Sequence, residues 1–185
     1  VVVQYTKNDL NVVRAVQRSA ETGGFRLTEV TSASSTARQW KVLETVRIRE
    51  VLDSLGLRVL SGYKHVPEMY LTATVDERWE LLNGLFDGDG SYRKDRETAQ
   101  YTTSSPQLAD DVLQLCWSLG ISAQKNYVMG DETWKITVLS GHNPFKFCDH
   151  ASKSLSGHSY YRRRITSVTT NGTEKTRCIP VEAEN

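Results

Sequence analysis

Apolar residues recur at intervals of three and four in several stretches of the chain, the spacing that places them on one face of an α-helix. The first two predicted helices span 8–20 and 44–55. The third starts at Thr74, where the pattern Thr-x-x-Glu is typical of a capping box. The fourth starts at Ser105, an N-cap residue that is followed by proline.

Between these helices lie short runs of β-branched and aromatic residues bounded by turn residues, as in β-strands. The predicted strands span 25–31, 38–43, 91–94, 98–103, 122–129 and 133–139. Runs joined by short turns pair as antiparallel hairpins. The expected fold class is therefore α+β, with helices alternating with antiparallel strand pairs.

Three tripeptides occur twice in the same order, about 95 residues apart, which indicates an internal repeat. They are QYT at 4 and 100, WKV at 40 with WKI at 134, and LSG at 60 and 155. The second copy reads helix, two strands, helix, two strands, helix, with the last helix expected over 143–155. The first copy starts at its second strand, so its opening helix is expected before Val1.

Composition adds few constraints to this picture. A chain of 185 residues with 38% hydrophobic content can bury a core, and no apolar run approaches the roughly 18 residues that cross a bilayer, so no membrane partner is expected. A net charge of +1 alone does not decide for or against nucleic acid. Cys116, Cys148 and Cys178 form no CxxC pair, which argues against zinc and favours a reducing, cytoplasmic location.

The helix that starts at Thr74 ends on the sequence DGDG at 87–90. Carboxylates there face the negative end of the helix dipole, which costs about 0.3–1 kcal/mol each at exposed sites. A divalent cation such as Mg²⁺ would compensate, because it binds carboxylate and carbonyl oxygens. The alternative is a polar helix stop that leads into a hairpin. Gly84, inside the helix, costs about 1 kcal/mol relative to alanine and is tolerated where a second helix packs closely.

The stretch LNGLFDGDG at 82–90 resembles the motif that names the LAGLIDADG homing endonucleases. The block YKHVPEMYL at 63–71 and the run TTSSP at 102–106 are similar to the segments that flank this motif in the endonucleases embedded in inteins. The resemblance covers most of 1–157. Asn83 replaces a small residue of the motif, which predicts looser packing between helices at that point.

The resemblance implies two pseudo-symmetric αββαββα halves with saddle-shaped antiparallel sheets, the first half truncated. The motif helices would meet through Gly84 and Leu85. It assigns 1–158 to the endonuclease domain, with halves at 1–62 and 63–158, and 159–185 to a short β segment of a Hint-type splicing domain.

The implied activity is site-specific, Mg²⁺-dependent double-strand cleavage of DNA by phosphodiester hydrolysis, in an intein that self-splices when complete. The implied partners are double-stranded DNA and the missing intein segments, on the same or another chain, with no small-molecule substrate. A catalytically inactive DNA-binding or structural remnant is the alternative. With one acidic motif, this chain alone is expected to be inactive or to nick weakly.

Within that resemblance, Asp89 is the expected metal ligand and catalytic acid, with the Gly88 carbonyl as a possible second ligand, whereas Asp87 is expected to be structural. Lys64, in the lysine block, is the first choice for an auxiliary lysine, and Lys135 is a weaker one.

Polar side chains on the strands and turns are expected to contact DNA, because amide, hydroxyl and basic groups suit base edges and phosphates. The sequence does not fix which of them share one sheet face. The candidates are Arg26, Arg38, Lys41, Tyr92, Lys94, Arg96, Thr98, Gln100, Lys125 and Asn126.

Two β-like runs at 165–169 and 176–181, split by Asn171-Gly172, predict a hairpin in the tail. They resemble the strands with which a splicing domain resumes after its endonuclease insert. Cys178 lies where such blocks often carry a supporting acid or cysteine, and a buried structural thiol is the alternative. The terminal His-Asn pair is absent, so this chain alone is not expected to splice.

Overall fold

The computed structural model of the protein describes residues 4–30, 38–156, 165, 167–170 and 172–175. The elements, in chain order, are β1 (Gln4–Thr6), α1 (Leu10–Thr22), β2 (Leu27–Val30), β3 (Gln39–Val42), α2 (Thr45–Ser54), a 3₁₀ turn (Ser61–Tyr63), α3 (Glu68–Leu71), α4 (Val75–Asp89), β4 (Gly90–Arg93), β5 (Thr98–Thr103), α5 (Pro106–Ser118), β6 (Ala123–Val128) and β7 (Thr133–Val138). Within these ranges no helix has the length and hydropathy that a bilayer span needs.

The α+β class is confirmed, and the six predicted strands and four predicted helices appear at or near their expected positions. The strands form two antiparallel sheets, with the orders β1-β3-β2 and β4-β5-β7-β6. The repeated tripeptide QYT falls on β1 and β5, and WKV and WKI fall on β3 and β7. The pairing register differs between the sheets, because Tyr5 pairs with Trp40 whereas Tyr101 pairs with Ile136, two residues beyond Trp134.

The helix predicted over 143–155 is wrong, because residues 143–156 form turns and irregular structure. Side chains bind the backbone N–H and C=O groups that would otherwise form the hydrogen bonds of a helix. The Asn143 amide donates to the carbonyls of His150, Ala151 and Lys153, at 3.0, 3.1 and 2.9 Å. The Asp87 carboxylate accepts backbone N–H groups of 146–148.

The predicted tail hairpin is not formed by the residues that the structure describes. Residues 165 and 167–169 lie outside any strand, and Ile165 and Val168 are largely exposed. The second predicted run, at 176–181, lies outside the described residues, as do Cys178 and the predicted domain boundary at 158.

The core lies between the four-stranded sheet and the helices α4 and α5. Leu82 and Phe86 of α4 are fully buried, and the Phe86 ring lies 5.8 Å from that of Tyr101 on β5. Because side chains alternate along a strand, the residues next to the buried ones lie on the opposite side of the sheet. We call that side the polar face, and it includes Gln100, Thr102, Lys135 and Thr137.

Gly90 joins α4 to β4 at a point where a side chain does not fit. A Cβ added there would overlap the carbonyl oxygen of Phe86 and lie 2.9 Å from the Phe145 ring. Gly84 differs, because among the described residues no atom beyond its chain neighbours and its own helix backbone lies within 4 Å of an added Cβ.

We expect Gly90→Ala to lower the free energy of unfolding by about 2–3 kcal/mol, because the added methyl group displaces the helix backbone. Gly84→Ala is the matched control, and we expect it to raise that free energy by up to about 1 kcal/mol, since alanine is the better helix former. Urea unfolding followed by circular dichroism measures both. Equal effects of the two substitutions would contradict the close approach at Gly90.

Candidate metal and nucleic-acid site

The helix α4 is fixed at its start by a capping box. The Thr74 hydroxyl accepts the Glu77 backbone N–H at 3.4 Å, and the Glu77 carboxylate accepts the Thr74 N–H at 3.0 Å. The Thr74 hydroxyl also donates to the Glu77 carboxylate at 2.7 Å, and this hydrogen bond, together with the one from the Thr74 backbone N–H, holds the pKa of Glu77 below its ordinary value. Because the first turn is anchored, the length of α4 determines where its acidic end lies.

Asp87, at that end, is a structural residue, as expected. Its side chain is 2% exposed. Oδ1 accepts the N–H groups of Lys146 and Cys148 at 3.1 and 3.3 Å, and Oδ2 accepts those of Lys146 and Phe147 at 3.3 and 3.0 Å. The carboxylate thus joins the end of α4 to the segment 146–148.

Asp89, two residues further, has the opposite environment. It is exposed, and no side-chain hydrogen bond or ion pair to it is recorded among the described residues. Burial, with a smaller contribution from the negative charge of Asp89, raises the pKa of Tyr101 to about 12. Asp89 directly precedes Gly90, the first residue of β4, and β4 is an outer strand of the four-stranded sheet, so its carboxylate lies at the edge of that sheet.

The carbonyl of Gly88 already attracts a cation. The Nζ of Lys7 donates to it at 2.6 Å, and Lys7 directly follows β1 of the other sheet. Lys7 therefore brings an ammonium group from the first repeat to the acidic end of the motif helix in the second. Lys7 was not predicted as a site residue from the sequence, although it directly follows the repeated tripeptide QYT in the first copy.

The oxygens at this helix end fit a divalent metal in part. Asp89 offers an unpaired carboxylate, and Gly88 offers a carbonyl that binds an ammonium group. In the described part of the chain, no three His, Cys, Asp or Glu residues are grouped closely enough to hold a metal. Mg²⁺ is commonly held by one or two carboxylates together with substrate phosphates and water. The donor set is thus of the kind that a nucleic-acid phosphate completes.

The two lysines expected to assist catalysis lie elsewhere in the fold. Lys64 is exposed, and its backbone carbonyl accepts the Ser105 hydroxyl at 2.6 Å. Lys135 lies on the polar face, with its Nζ 3.3 Å from Asp131. No contact of either side chain with Asp89 is recorded among the described residues, and their catalytic roles stay predictions.

One side of α4 is partly uncovered in the described structure. It contains Leu81, Gly84, Leu85 and Gly88, spaced three and four residues apart. The two leucines are half-buried against the core, and a Cβ added at either glycine meets no described atom within 4 Å apart from its own helix backbone and chain neighbours. We call this side the glycine face. It has the small and apolar residues that allow a second helix to pack closely. Asn83 lies elsewhere, in a groove with Trp79 and Phe145, so the looser packing expected from Asn83 does not apply to the glycine face.

Two of the expected DNA contacts are on the wrong side of the sheet, because the strand register directs them toward the helices. Tyr92 packs against the core, and its hydroxyl donates to the carbonyl of Ser154 at 3.2 Å. Lys125 pairs with Asp110 of α5 and lies 4.6 Å from the centroid of the Trp134 ring. Neither side chain belongs to the polar face.

The remaining expected contacts lie on strands, next to strands or in turns. Gln100 and Asn126 alternate with buried or helix-facing residues on β5 and β6, and Lys41 alternates with the buried Trp40 on β3. Thr98, in contrast, is itself buried, at 8% exposure, so its hydroxyl is not available to DNA as expected. Lys94 and Arg96 lie in the turn between β4 and β5. Two arginines are already paired, Arg26 with Glu44 at 2.7 Å and Arg38 with Glu29 at 3.7 Å.

The fold and the site define a class of protein: an α+β domain in which a helix ending in glycines and an unpaired acid lies beside antiparallel sheets. The family described as LAGLIDADG-like domain matches residues 76–168, about half of the chain. The protein belongs to this family, so the family resemblance seen in the sequence is confirmed.

Solved structures of the homing endonuclease I-DmoI have a similar fold. The structure of I-DmoI in complex with DNA and Ca aligns over 82% of this chain and 81% of that chain, with a TM-score of 0.57 and 10% identity. An I-DmoI variant in complex with its target DNA in the presence of Mg aligns over 74% and 72%, with a TM-score of 0.54 and 12% identity. At such identities the likeness shows the fold.

A sequence relative is the replicative DNA helicase DnaB of Mycobacterium intracellulare. It is 40% identical over 63 residues, which are 34% of this chain and 11% of the helicase. The match therefore spans only a small part of that relative.

Proposed function

We propose that this protein is an intein-encoded, site-specific endonuclease that binds double-stranded DNA and hydrolyses its phosphodiester bonds with a divalent metal, Mg²⁺ above all. The observation that carries the proposal is the environment of Asp89: an exposed, unpaired carboxylate beside a carbonyl that attracts cations, at the end of the family's motif helix. The I-DmoI complexes with target DNA and with Mg or Ca support it by analogy.

DNA binding is assigned to the polar face of the four-stranded sheet. An antiparallel ribbon fits the major groove, where amide and hydroxyl groups meet base edges. Gln100 and Thr102 on β5 supply such groups, Lys135 on β7 adds an ammonium group for phosphates, and β5 pairs with β4, the strand that follows the acidic helix end. A duplex on this face would bring its phosphates toward Asp89.

A bound Mg²⁺ would lower the pKa of an attacking water and stabilise negative charge on the phosphate. Asp89 and the Gly88 carbonyl are the residues that would hold it. Lys7 is placed to donate to the phosphate or to orient the water, as a point charge at the same helix end.

The intein part of the proposal is supported by the match to DnaB. The match covers 63 residues and only 11% of the helicase. A short local match of this kind is expected when both proteins contain a related element that is inserted into a host protein. The proposal includes a reducing, cytoplasmic location, consistent with Cys116 and Cys148 being buried free thiols. Sequencing the gene on both sides of 1–185 tests the insertion, and the lack of host-protein coding sequence on either side would contradict it.

A catalytically inactive DNA-binding remnant is the second candidate. It is favoured by the contact of Lys7 with the Gly88 carbonyl, because an ammonium group there can replace the metal. The glycine face of α4 is partly uncovered in the described structure, and a matching helix that packs there would bring a second acid beside Asp89.

One experiment separates the two candidates. The chain is used to select duplexes from a library of randomised DNA, and binding is measured at 50 and 200 mM salt. If about four phosphates are contacted, affinity falls about 100-fold over this range. The selected duplex is then placed in a supercoiled plasmid and incubated with Mg²⁺ or EDTA. Nicking only with Mg²⁺ supports the endonuclease. Binding without nicking, both by the chain alone and after addition of the missing intein segments, supports the remnant, and enrichment of no sequence contradicts both.

A further inference from the structure

Gln100 on β5 and Thr137 on β7 are opposite each other on the polar face. Both chain neighbours of Gln100, Ala99 and Tyr101, are buried in the core, and so are both neighbours of Thr137. Alternation along the strands therefore directs both side chains to the side that the proposed duplex occupies.

The two side chains are hydrogen-bonded to each other. The Nε2 of Gln100 donates to the Oγ1 of Thr137 at 3.1 Å, and both residues are half-buried. A primary amide has two N–H donors and one oxygen acceptor. The bond to Thr137 uses one N–H and fixes the orientation of the amide, and Oε1 and the second N–H are left for a ligand.

We propose that Gln100 reads an adenine in the major groove of the target and that Thr137 is the residue that orients it. The inference rests on the proposed function, because it requires a duplex on the polar face. Adenine presents a donor, N6–H, beside an acceptor, N7, on its major-groove edge. The free oxygen and N–H of the Gln100 amide match this pair.

The other bases match the oriented amide less well. Guanine presents two acceptors, for which the amide has one N–H to offer. Cytosine presents a donor without an adjacent acceptor, and thymine presents an acceptor beside a methyl group. The unmatched groups lose their hydrogen bonds to water on binding. Adenine is therefore preferred by roughly 10- to 100-fold at the position that Gln100 contacts.

The experiment is selection from the randomised duplex library, with sequencing of the bound fraction for the unmodified chain and four variants. The unmodified chain should enrich adenine strongly at one position. Gln100→Ala should remove the preference at that position alone. Gln100→Glu should change it to cytosine, because a carboxylate accepts from the cytosine amino group and from the Thr137 hydroxyl.

Thr137 provides the test of orientation. Thr137→Val removes the hydroxyl at nearly constant volume and should relax the preference at the same position, whereas Thr137→Ser should keep it. Circular dichroism shows that each variant is folded. Selection of a defined sequence whose adenine positions all survive Gln100→Ala would overturn the inference and leave the proposed function intact. Enrichment of no sequence by the unmodified chain would overturn both.

Discussion

Asp87→Asn lowers the free energy of unfolding by about 3 kcal/mol or more, which for a chain of this size corresponds to a fall in Tm of roughly 6–12 °C. The carboxylate accepts four backbone hydrogen bonds from three residues, Lys146, Phe147 and Cys148, in a site that is 2% exposed. Asparagine has one acceptor oxygen, and its amide nitrogen would face backbone N–H groups. A buried donor without a partner costs about 1–3 kcal/mol. Differential scanning calorimetry measures the shift.

Asp76→Asn is the matched control, because it makes the same chemical change on an exposed residue of the same helix. Asp76 lies in the first turn of α4, where its charge stabilises the helix by a few tenths of a kcal/mol. Its Tm should therefore change by roughly 2 °C or less. Equal shifts for the two variants would show that the bonds to 146–148 do not stabilise the fold.

Local signals were sufficient to predict the start of α4 and much of the secondary structure. The Thr74 capping box and the Ser105-Pro106 start are contained within a few consecutive residues, and both are present in the structure. The strands are bounded by turn residues, and the repeat supplied a second, independent indication for most of them. Such features need no knowledge of the tertiary fold.

Features that depend on tertiary contacts were not predictable. Segment 143–155 was expected to be helical, but a carboxylate about 60 residues earlier in the sequence and the Asn143 amide bind its backbone. The side of the sheet on which Tyr92 and Lys125 lie depends on register, which a one-residue shift reverses. The role of Asp87 was expected from the family motif, and the structure supplies its physical reason.

The candidate site shows the same division between local and tertiary information. Asp89 and Gly88 belong to a contiguous motif, so the sequence identified them directly. Lys7 reaches the Gly88 carbonyl from a distance of 81 residues along the chain. A contact of that kind becomes visible only when both repeats are folded. The charge at the end of α4 therefore depends on Lys7 from the first copy of the repeat as well as on Asp89 from the second.

Two carboxylates in one motif thus have separate tasks. Asp87 is buried and holds the end of α4 against 146–148, and Asp89 is exposed and free to bind a cation. Their separation by one glycine allows the rigid attachment of the first to define the position of the second. Stability and activity are therefore expected to respond to different substitutions within the same four residues.

Asp89→Asn reduces Mg²⁺-dependent nicking of the selected duplex, measured with the missing intein segments added, by 100-fold or more, because it removes the only unpaired carboxylate beside the Gly88 carbonyl within the described residues. Tm should stay within roughly 2 °C of the parent, since an exposed acid at a helix C-terminus does not stabilise the helix. Binding to the duplex in EDTA should be equal or tighter, because one negative charge near the phosphates is lost.

Asp76→Asn again serves as the control and should nick at the parent rate. Undiminished nicking by Asp89→Asn at the parent Mg²⁺ concentration would rule out Asp89 as the metal ligand. A parallel loss of duplex binding would instead show that the carboxylate acts in positioning the DNA.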